Sequence, residues 1–322
     1  MSVNTCGATA GLSSSAAPYF QTSTSNRFPC AMSIVTQHAY AASVSAHKPR
    51  AALRRIEPDR GWPKLGLGEL CEHAELLGFF VWRDIKVRYK QTVFGVAWAV
   101  LQPLATMIVF SVVFGRLAKL DSDGIPYPAF CLAGLLPWML FASGLTQSAN
   151  SLVGNVNLLN KVYFPRMLLP IANVAAGLVD LCVSLPLLFV VLVWCGVTPG
   201  WNLLLLPLPL ALVVVTATGA GLWLAAANAQ YRDIRFVLPF LVQLWMYGTP
   251  IVYSFNLIPK EWQAAVAINP LVSAVGLFRF AVLGVGAPGA TAVVVSICSA
   301  TALLVSGSWY FRATERSFID TI

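Results

Sequence analysis

Six long apolar runs alternate with short polar segments between residues 94 and 311. A helix needs about 20 apolar residues to cross the hydrocarbon core of a bilayer, and each run approaches or exceeds that length. The pattern predicts an all-α integral membrane protein with six transmembrane helices. The predicted spans are Phe94–Leu117, Ala129–Ser148, Met167–Cys195, Leu203–Ala227, Phe236–Tyr253 and Ala290–Phe311.

A further apolar stretch, Ala264–Gly286, contains the pair Asn269-Pro270 and the charged residue Arg279. Proline lacks a backbone donor and disfavours helix in the residue before it, so each half is too short to cross. The stretch is predicted to be a re-entrant helical hairpin before the last span. Such a hairpin is tolerated where protein or a water-filled cavity surrounds it.

The basic residues between the runs favour the same topology, because Lys and Arg concentrate in cytoplasmic loops. With the N-terminus in the cytoplasm, ten basic residues lie inside and four outside. Both termini are therefore predicted to be cytoplasmic. The inside group is Arg83, Lys86, Arg88, Lys90, Lys161, Arg166, Arg232, Arg235, Arg312 and Arg316, and the outside group is Arg116, Lys119, Lys260 and Arg279.

Residues 61–93 precede the first span and contain a candidate interface helix. Leu70, Leu77, Val81 and Ile85 recur at helical spacing, and basic residues crowd the later half. This combination is typical of an amphipathic helix that lies in the membrane interface. A helix in a soluble core is the alternative, but the chain has no obvious soluble core.

Composition explains why lipid must surround much of this chain. It has 322 residues, of which 57% are hydrophobic and 11% charged. A soluble domain averages about 25% charged residues. The net charge of +8 lies mostly in short loops, which favours anionic headgroups over nucleic acid as the partner.

Residues 1–60 are rich in Ser, Ala and Thr, and are predicted to form a disordered tail. Two explanations stay open for this tail. It could be an organelle transit peptide, or the start could be over-extended, with Met32 as the true first residue. The second explanation is favoured.

Little in the sequence points to catalysis. There is no G-x-x-x-x-G-K-[ST] motif, so the chain does not bind ATP by that route. Asp180 is the clear carboxylate within the spans. A lone intramembrane acid suggests function, but a structural acid at a helix interface is favoured here.

The remaining polar and aromatic residues of the spans leave two interpretations open. Uncharged polar groups line a hydrophilic path or join helices, and aromatic groups form an interfacial belt or stack on sugars. The candidates for lining a conduit are Trp138, Phe141, Gln147, Asp180, Gln243 and Tyr247.

Five segments, in this order and spacing, resemble the ABC-2 type permeases, and within these the exporters of O-antigen, capsule or teichoic acid. The resemblance covers about residues 69–316, so 94–316 is assigned as the ABC-2 transmembrane domain. The segments are WRDIKVRYKQTVFGVAWAVLQPLATMIVFSVVFGRL, YPAFCLAGLLPWMLFASGL, NSLVGNVNLLNKVYFPRMLLP, YRDIRFVLPFLVQLWMYGTPIVY and AINPLVSAVGLFRFAVLG.

The resemblance implies one half of a transporter in the cell inner membrane, not an enzyme. Two copies of such a permease form a channel, and two ATP-binding subunits carry the ATP and Mg, so no cofactor is expected on this chain. The implied substrate is a lipid-linked glycan led by its pyrophosphate. The residues implied to contact that headgroup are Arg83, Lys86, Arg88 and Lys90.

The loop after the second span is implied to be a coupling helix that fits a cleft of the ATPase. Its candidate residues are Asn155, Leu158, Lys161, Val162, Tyr163 and Phe164. A plain topology signal is the alternative for its basic residues. Two other functions stay open for the whole chain, namely an ABC-2 permease for a drug or small lipid and a membrane-embedded enzyme that modifies a glycan.

Overall fold

Helices account for all the regular structure in residues 73–90, 95–231 and 233–315, the part of the chain that the computed structural model describes. The predicted tail, its alternative start at Met32 and residues 61–72 lie outside these ranges. In chain order the α-helices are α1 (Ala74–Lys90), α2 (Ala97–Phe110), α3 (Tyr127–Gly154), α4 (Val156–Leu159), α5 (Leu168–Trp194), α6 (Pro207–Gln230), α7 (Ile234–Tyr247), α8 (Lys260–Val266), α9 (Pro270–Leu283) and α10 (Ala290–Glu315).

Five helices are long and apolar enough to cross a membrane, which confirms an all-helical, multi-pass membrane protein. They are α3, α5 and α10, together with α2 and α6 and their helical extensions. The π-helical turn Ser111–Leu117 extends α2, and the 3₁₀ turn Trp201–Leu205 precedes α6. Each of the five corresponds to one of the predicted spans.

The fifth predicted span, Phe236–Tyr253, is helical only in its first part. Helix α7 ends at Tyr247 and has 14 residues, about 21 Å at 1.5 Å per residue. Gly248 and Pro250 follow directly, and proline offers no donor for a continuing helix. The chain then runs without regular structure to Ser254.

A cluster of buried apolar side chains joins several helix ends at the α1 end of the bundle. It contains Phe80 of α1, Leu152 of α3, Leu168 of α5, Ala229 of α6 and Phe311 of α10. Consecutive long helices enter or leave the bundle there, so the cluster fixes their relative position. The C-terminal residues of α10 therefore lie beside α1.

Helices α6 and α10 pack closely because glycine faces backbone at their crossing. A Cβ on Gly219 would lie 2.7 Å from the backbone nitrogen of Leu304, and a Cβ on Gly307 would lie 2.3 Å from the carbonyl oxygen of Gly219. Small residues allow this approach in membrane helices, where tight packing replaces the hydrophobic effect. Trp223 stacks on Tyr310 beside the crossing, with ring centroids 4.1 Å apart.

The irregular segment after α7, residues 248–254, has carbonyl groups that need donors from elsewhere in the protein. Arg279 of α9 donates from Nη1 to the carbonyl of Pro250 at 2.9 Å, and from Nη2 to that of Ile251. Tyr127 donates to the carbonyl of Val252 at 2.8 Å. Unpaired backbone groups are costly in a bilayer, so these donors stabilise the segment. We call the three residues whose side chains donate to its carbonyls, Arg279, Tyr127 and Asn269, the carbonyl clasp.

Asn269 completes the carbonyl clasp and starts α9. Its side-chain oxygen accepts from the backbone nitrogen of Leu271 at 3.1 Å and from the indole of Trp245 at 3.0 Å. Its amide nitrogen donates to the carbonyl of Gly248 at 3.2 Å. One side chain thus caps α9 and joins it to the end of α7.

The Arg279 guanidinium is buried between α9 and α3. Its Cζ lies 3.7 Å from the centroid of the Phe130 ring, which is a cation–π contact. A Cβ on Gly134 would lie 2.5 Å from Arg279 Nη2 and 3.0 Å from the carbonyl oxygen of Ile251. Gly134 therefore provides the space that the guanidinium occupies.

We predict that Gly134→Ala destabilises the protein by disturbing the carbonyl clasp. The added methyl group displaces the buried guanidinium from its acceptors, and a broken buried polar contact costs about 1–3 kcal/mol. Gly154→Ala is the matched control, because it lies on the same helix and a Cβ there has nothing within 4 Å. Thermal unfolding in detergent should show a lower midpoint for Gly134→Ala alone. Equal midpoints would contradict the role given to Gly134.

Candidate functional site

A cavity of about 1060 Å³ lies between α2, α3 and α5. Its polar lining includes Arg88, Gln147 and Asp180, whereas Leu135 and Met246 line it farther from α1. Leu135 and Gln147 are 12 residues apart on α3, so the cavity extends about 18 Å along that helix. It is thus elongated, charged at the α1 end and mainly apolar beyond.

The charged end of the cavity is built by residues from three helices. Arg88 of α1 donates from Nη1 to the carboxylate of Asp180 on α5, and from Nη2 to the side-chain oxygen of Gln147 on α3. Tyr89 donates its hydroxyl proton to the same carboxylate. Asp180 is therefore not an isolated acid but accepts hydrogen bonds at the interface between α1 and α5.

Burial and the Asp180 carboxylate together raise the pKa of Tyr89 to about 12. Burial is the larger cause, because it disfavours the charged phenolate. The hydrogen bond to Asp180 favours the protonated phenol, and the negative charge of Asp180 opposes its ionisation. Tyr89 is therefore a stable donor to Asp180 at physiological pH.

The other three basic residues of α1 lie outside the cavity lining. Arg83 forms an ion pair with Asp84 at 2.8 Å, and its guanidinium lies over the Phe80 ring. Lys86 lies 5.8 Å from the centroid of Trp82, and Lys90 is exposed. The family resemblance implied four headgroup contacts, and of these four residues Arg88 alone lines the cavity.

The loop between α3 and α5 has both exposed and buried side chains. Tyr163 is 92% exposed and Val162 52% exposed, and Lys161 is exposed beside them. Phe164 is buried against Phe80 of α1, with ring centroids 5.1 Å apart.

The helix of this loop, α4, covers only Val156–Leu159 and begins after Asn155. Leu158 packs against the apolar cluster at the α1 end. The loop therefore presents Tyr163 outward, while Leu158 and Phe164 anchor it to the bundle.

The candidates for lining a conduit do not all lie together. Trp138, Gln147 and Asp180 line the cavity. Phe141 is fully buried, and its ring centroid lies 4.8 Å from that of Trp245. It therefore packs behind the residues that line the cavity. Gln243 and Tyr247 are exposed on the outer face of α7, where Gln243 donates to the Tyr247 hydroxyl at 3.4 Å.

Residues 75–283, which include the cavity, the α3–α5 loop and the carbonyl clasp, match the ABC-2 type transporter family. The chain belongs to this family. ABC-2 membership confirms the resemblance recognised in the sequence. It implies a multi-pass transport subunit of the inner membrane that pairs with an ATP-binding ABC subunit.

Characterised ABC-2 relatives match this chain over most of their length. The O-antigen export system permease protein RfbA of Myxococcus xanthus is 28% identical over 79% of this chain and 98% of its own. An RfbA permease of Klebsiella pneumoniae is 32% identical over 67% and 82%. The polysialic acid transport protein KpsM of Escherichia coli is 26% identical over 62% and 78%.

Sequence analysis missed two features of this ABC-2 chain. Arg279 was counted as a loop charge, yet it is buried, and its partners are backbone carbonyls that carry no sequence signal. Ser184 lines the cavity and donates to the carbonyl of Ala99 at 2.9 Å, joining α5 to α2. Its spacing of four residues from Asp180 places both on one helix face, a signal that was available.

We predict that Asp180→Asn lowers the pKa of Tyr89 from about 12, while burial keeps it above its usual value near 10. A neutral amide cannot repel the phenolate as the carboxylate does. Ultraviolet titration would measure this pKa as the difference between each protein and its Tyr89→Phe counterpart, since the chain has 9 tyrosines. An unchanged titration would mean that Asp180 does not act on Tyr89.

The same shift has a consequence for stability at alkaline pH. Because folding raises the pKa of Tyr89, its contribution to stability is complete below pH 10 and is lost as the pH rises through about 12. Tyr89→Phe should therefore flatten the dependence of the unfolding midpoint on pH in that window. Tyr163→Phe, at an exposed tyrosine, should leave it as in the unmodified protein.

Proposed function

We propose that this chain is the transmembrane subunit of an ABC exporter that moves a lipid-linked polysaccharide from the cytoplasm across the inner membrane. The observation that carries the proposal is the match to an O-antigen export permease over 98% of that protein's length. The matched region includes both the cavity and the α3–α5 loop. The chain itself breaks no bond of the substrate in this mechanism.

The energy in this mechanism comes from two copies of an ATP-binding subunit, which hold the ATP and Mg. Tyr163 and its exposed neighbours form the surface that docks into the ATPase. Phe164 contacts Phe80 from inside the same loop, so a movement of the loop reaches α1 directly. The motion is thereby transmitted from the ATPase to the spans.

The proposed assembly is a homodimer, and the outer face of α7 supports it. Phe236, Phe240 and Tyr247 are more than 60% exposed there, and the polar Gln243 lies among them. An amide directed at hydrocarbon is costly, whereas a second copy or a conduit would satisfy it. Gln243 and Tyr247 would then line the path between the two copies.

Six crossings with both termini in the cytoplasm fit the positions of the helix ends. Helix α7 covers about 21 Å, and the irregular segment 248–254 that follows it would complete this crossing inside the protein. The turn before α9 lies beside the early part of α10, where Ser296 donates to the carbonyl of Ala267 at 2.9 Å. This placement supports a hairpin that enters and leaves on one side.

A small amphiphile as the whole cargo is the second candidate, because the cavity volume is near the upper end for drug-sized ligands. Deletion of the gene and fractionation of cell-envelope glycans separate the two. Loss of polysaccharide export should leave lipid-linked polymer inside the cell, and the unmodified gene should reverse this. Normal surface polymer in the deletion strain would refute the polysaccharide assignment.

We predict that Tyr163→Ala weakens binding of the ATP-binding subunit by roughly tenfold or more, as expected for an exposed aromatic anchor of an interface. Co-purification and ATPase activity of the complex measure the effect. Trp201→Ala is the matched control, because Trp201 is 90% exposed and lies before α6, away from this loop. Equal losses for both variants, or none for Tyr163→Ala, would contradict the docking surface.

Phe164→Ala separates docking from anchoring. Removing a buried phenylalanine costs about 3–5 kcal/mol, so this variant should unfold at a lower temperature. Tyr163→Ala should retain the original unfolding midpoint. The reverse pattern of stabilities would show that the two aromatic residues have been assigned the wrong roles.

A further inference from the structure

The ion pair between Arg88 and Asp180 is open to the cavity. The Arg88 side chain is 23% exposed and that of Asp180 is 25% exposed, and both line the cavity. A pair that only joined α1 to α5 would not need this access. A group in the cavity can therefore reach the guanidinium without unfolding the helices around it.

Arg88 does not form the paired hydrogen bonds to a single group that a guanidinium prefers. Its two terminal nitrogens donate to two different side chains, the carboxylate of Asp180 and the amide oxygen of Gln147. Guanidinium binds phosphate best through two parallel hydrogen bonds to one group. A phosphate at this point could accept two parallel hydrogen bonds from Arg88, which neither Asp180 nor Gln147 does.

The shape of the cavity indicates what kind of molecule carries that phosphate. Beyond the charged end, the walls are mainly apolar and include Leu135, Leu136, Met139 and Met246, and the polar side chains among them, Gln102, Thr106, Ser143 and Ser184, are uncharged. The cavity continues about 18 Å along α3 from Gln147 to Leu135. An apolar chain attached to an anionic head matches this distribution, whereas a free sugar or free phosphate would leave the apolar part unmatched.

We propose that Asp180 is a counter-ion, and that the phosphate of the cargo's lipid anchor displaces it from Arg88 on entering the cavity. The inference rests on the proposed function for the lipid-linked nature of the cargo. The carboxylate holds Arg88 and weakens the binding of every anionic head. A diphosphate overcomes this with several oxygens, while the single charge of an ordinary anionic phospholipid competes less well.

Removing the charge of Asp180 should therefore tighten binding, which is the opposite of what loss of a structural contact does. Asn at this position can still accept hydrogen bonds from Arg88 and Tyr89, so the helices keep their connection. The anion then meets an uncompensated guanidinium. A merely structural Asp180 would give unchanged or weaker binding in Asp180→Asn.

The test is titration of farnesyl diphosphate into the purified full-length chain in detergent, followed by intrinsic fluorescence or calorimetry. We expect Asp180→Asn to bind roughly two- to fivefold more tightly than the unmodified chain, since a partly exposed ion pair contributes up to about that factor. Arg88→Gln should lose binding at least tenfold. In the double variant, the gain from Asp180→Asn should disappear, because its origin is Arg88.

Two controls distinguish binding at this site from a general effect of protein charge and from binding of the anion without its lipid. Glu75→Gln removes an exposed carboxylate from the first turn of α1 and should not alter affinity. Inorganic pyrophosphate should bind much more weakly than farnesyl diphosphate. Equal affinity for the two probes would overturn the lipid part of the proposal, and unchanged or weaker binding by a folded Asp180→Asn would overturn the role of Asp180.

Tyr89→Phe tests the same idea with a smaller change, in case Asp180→Asn does not fold. It removes one donor to the carboxylate, so Asp180 depends more on Arg88, its displacement costs more, and affinity should fall about two- to threefold. An unchanged affinity would count against displacement. If polysaccharide export survives gene deletion while these affinities shift, the proposed function is wrong but the role of Asp180 stands. If export fails on gene deletion and the affinities do not shift, the proposed function stands and the role of Asp180 is wrong.

Discussion

The hydrogen bonds from Arg279 to the carbonyls of residues 250 and 251 are the contact on which the rest of the bundle depends. An apolar surrounding offers no water to backbone groups that leave a helix, so the irregular segment after α7 exists only because the protein supplies its donors. One buried cation meets that demand and also packs on Phe130. It thereby fixes α3, α9 and the end of α7 relative to one another.

Helix α1 joins the two regions to which we assign function. Arg88 and Tyr89 lie at one end of it and meet the cavity, while Phe80, eight residues earlier, contacts Phe164 of the α3–α5 loop. Eight residues of helix span about 12 Å and move as a unit. Events at the charged end of the cavity and at the proposed docking surface for the ATPase would therefore act on a single rigid element.

Sequence reasoning located the long spans because apolar length is a local property, and five of the six predicted spans are long helices in the structure. The helix of the remaining span, Phe236–Tyr253, ends early at Tyr247, and Gly248 and Pro250 are the sequence signal for this end. The partners of Asp180 and Arg279 could not be found in this way. Arg88 lies 92 residues from Asp180, and the acceptors of Arg279 are carbonyls, which every residue has.

The sequence identified the residue types of the candidate site more successfully than the direction in which each side chain points. Tyr163 and Phe164 are adjacent and chemically alike, yet the first points into solvent and the second into the bundle. Arg83 and Arg88 are both basic and on one helix, but only Arg88 meets the cavity. Helical spacing assigns a face, whereas the identity of what packs on that face comes from the tertiary fold.

The short length of α7 bears on the membrane as well as on the protein. Its 14 residues cover about 21 Å, while the hydrocarbon core of a typical bilayer is about 30 Å thick. A helix shorter than the hydrocarbon core is accommodated by thinning of the bilayer or by oligomerisation, and the cost depends on acyl-chain length. The thickness of the bilayer thus becomes a variable that acts on this protein at one wall, and a thicker bilayer would favour covering that wall with a second copy.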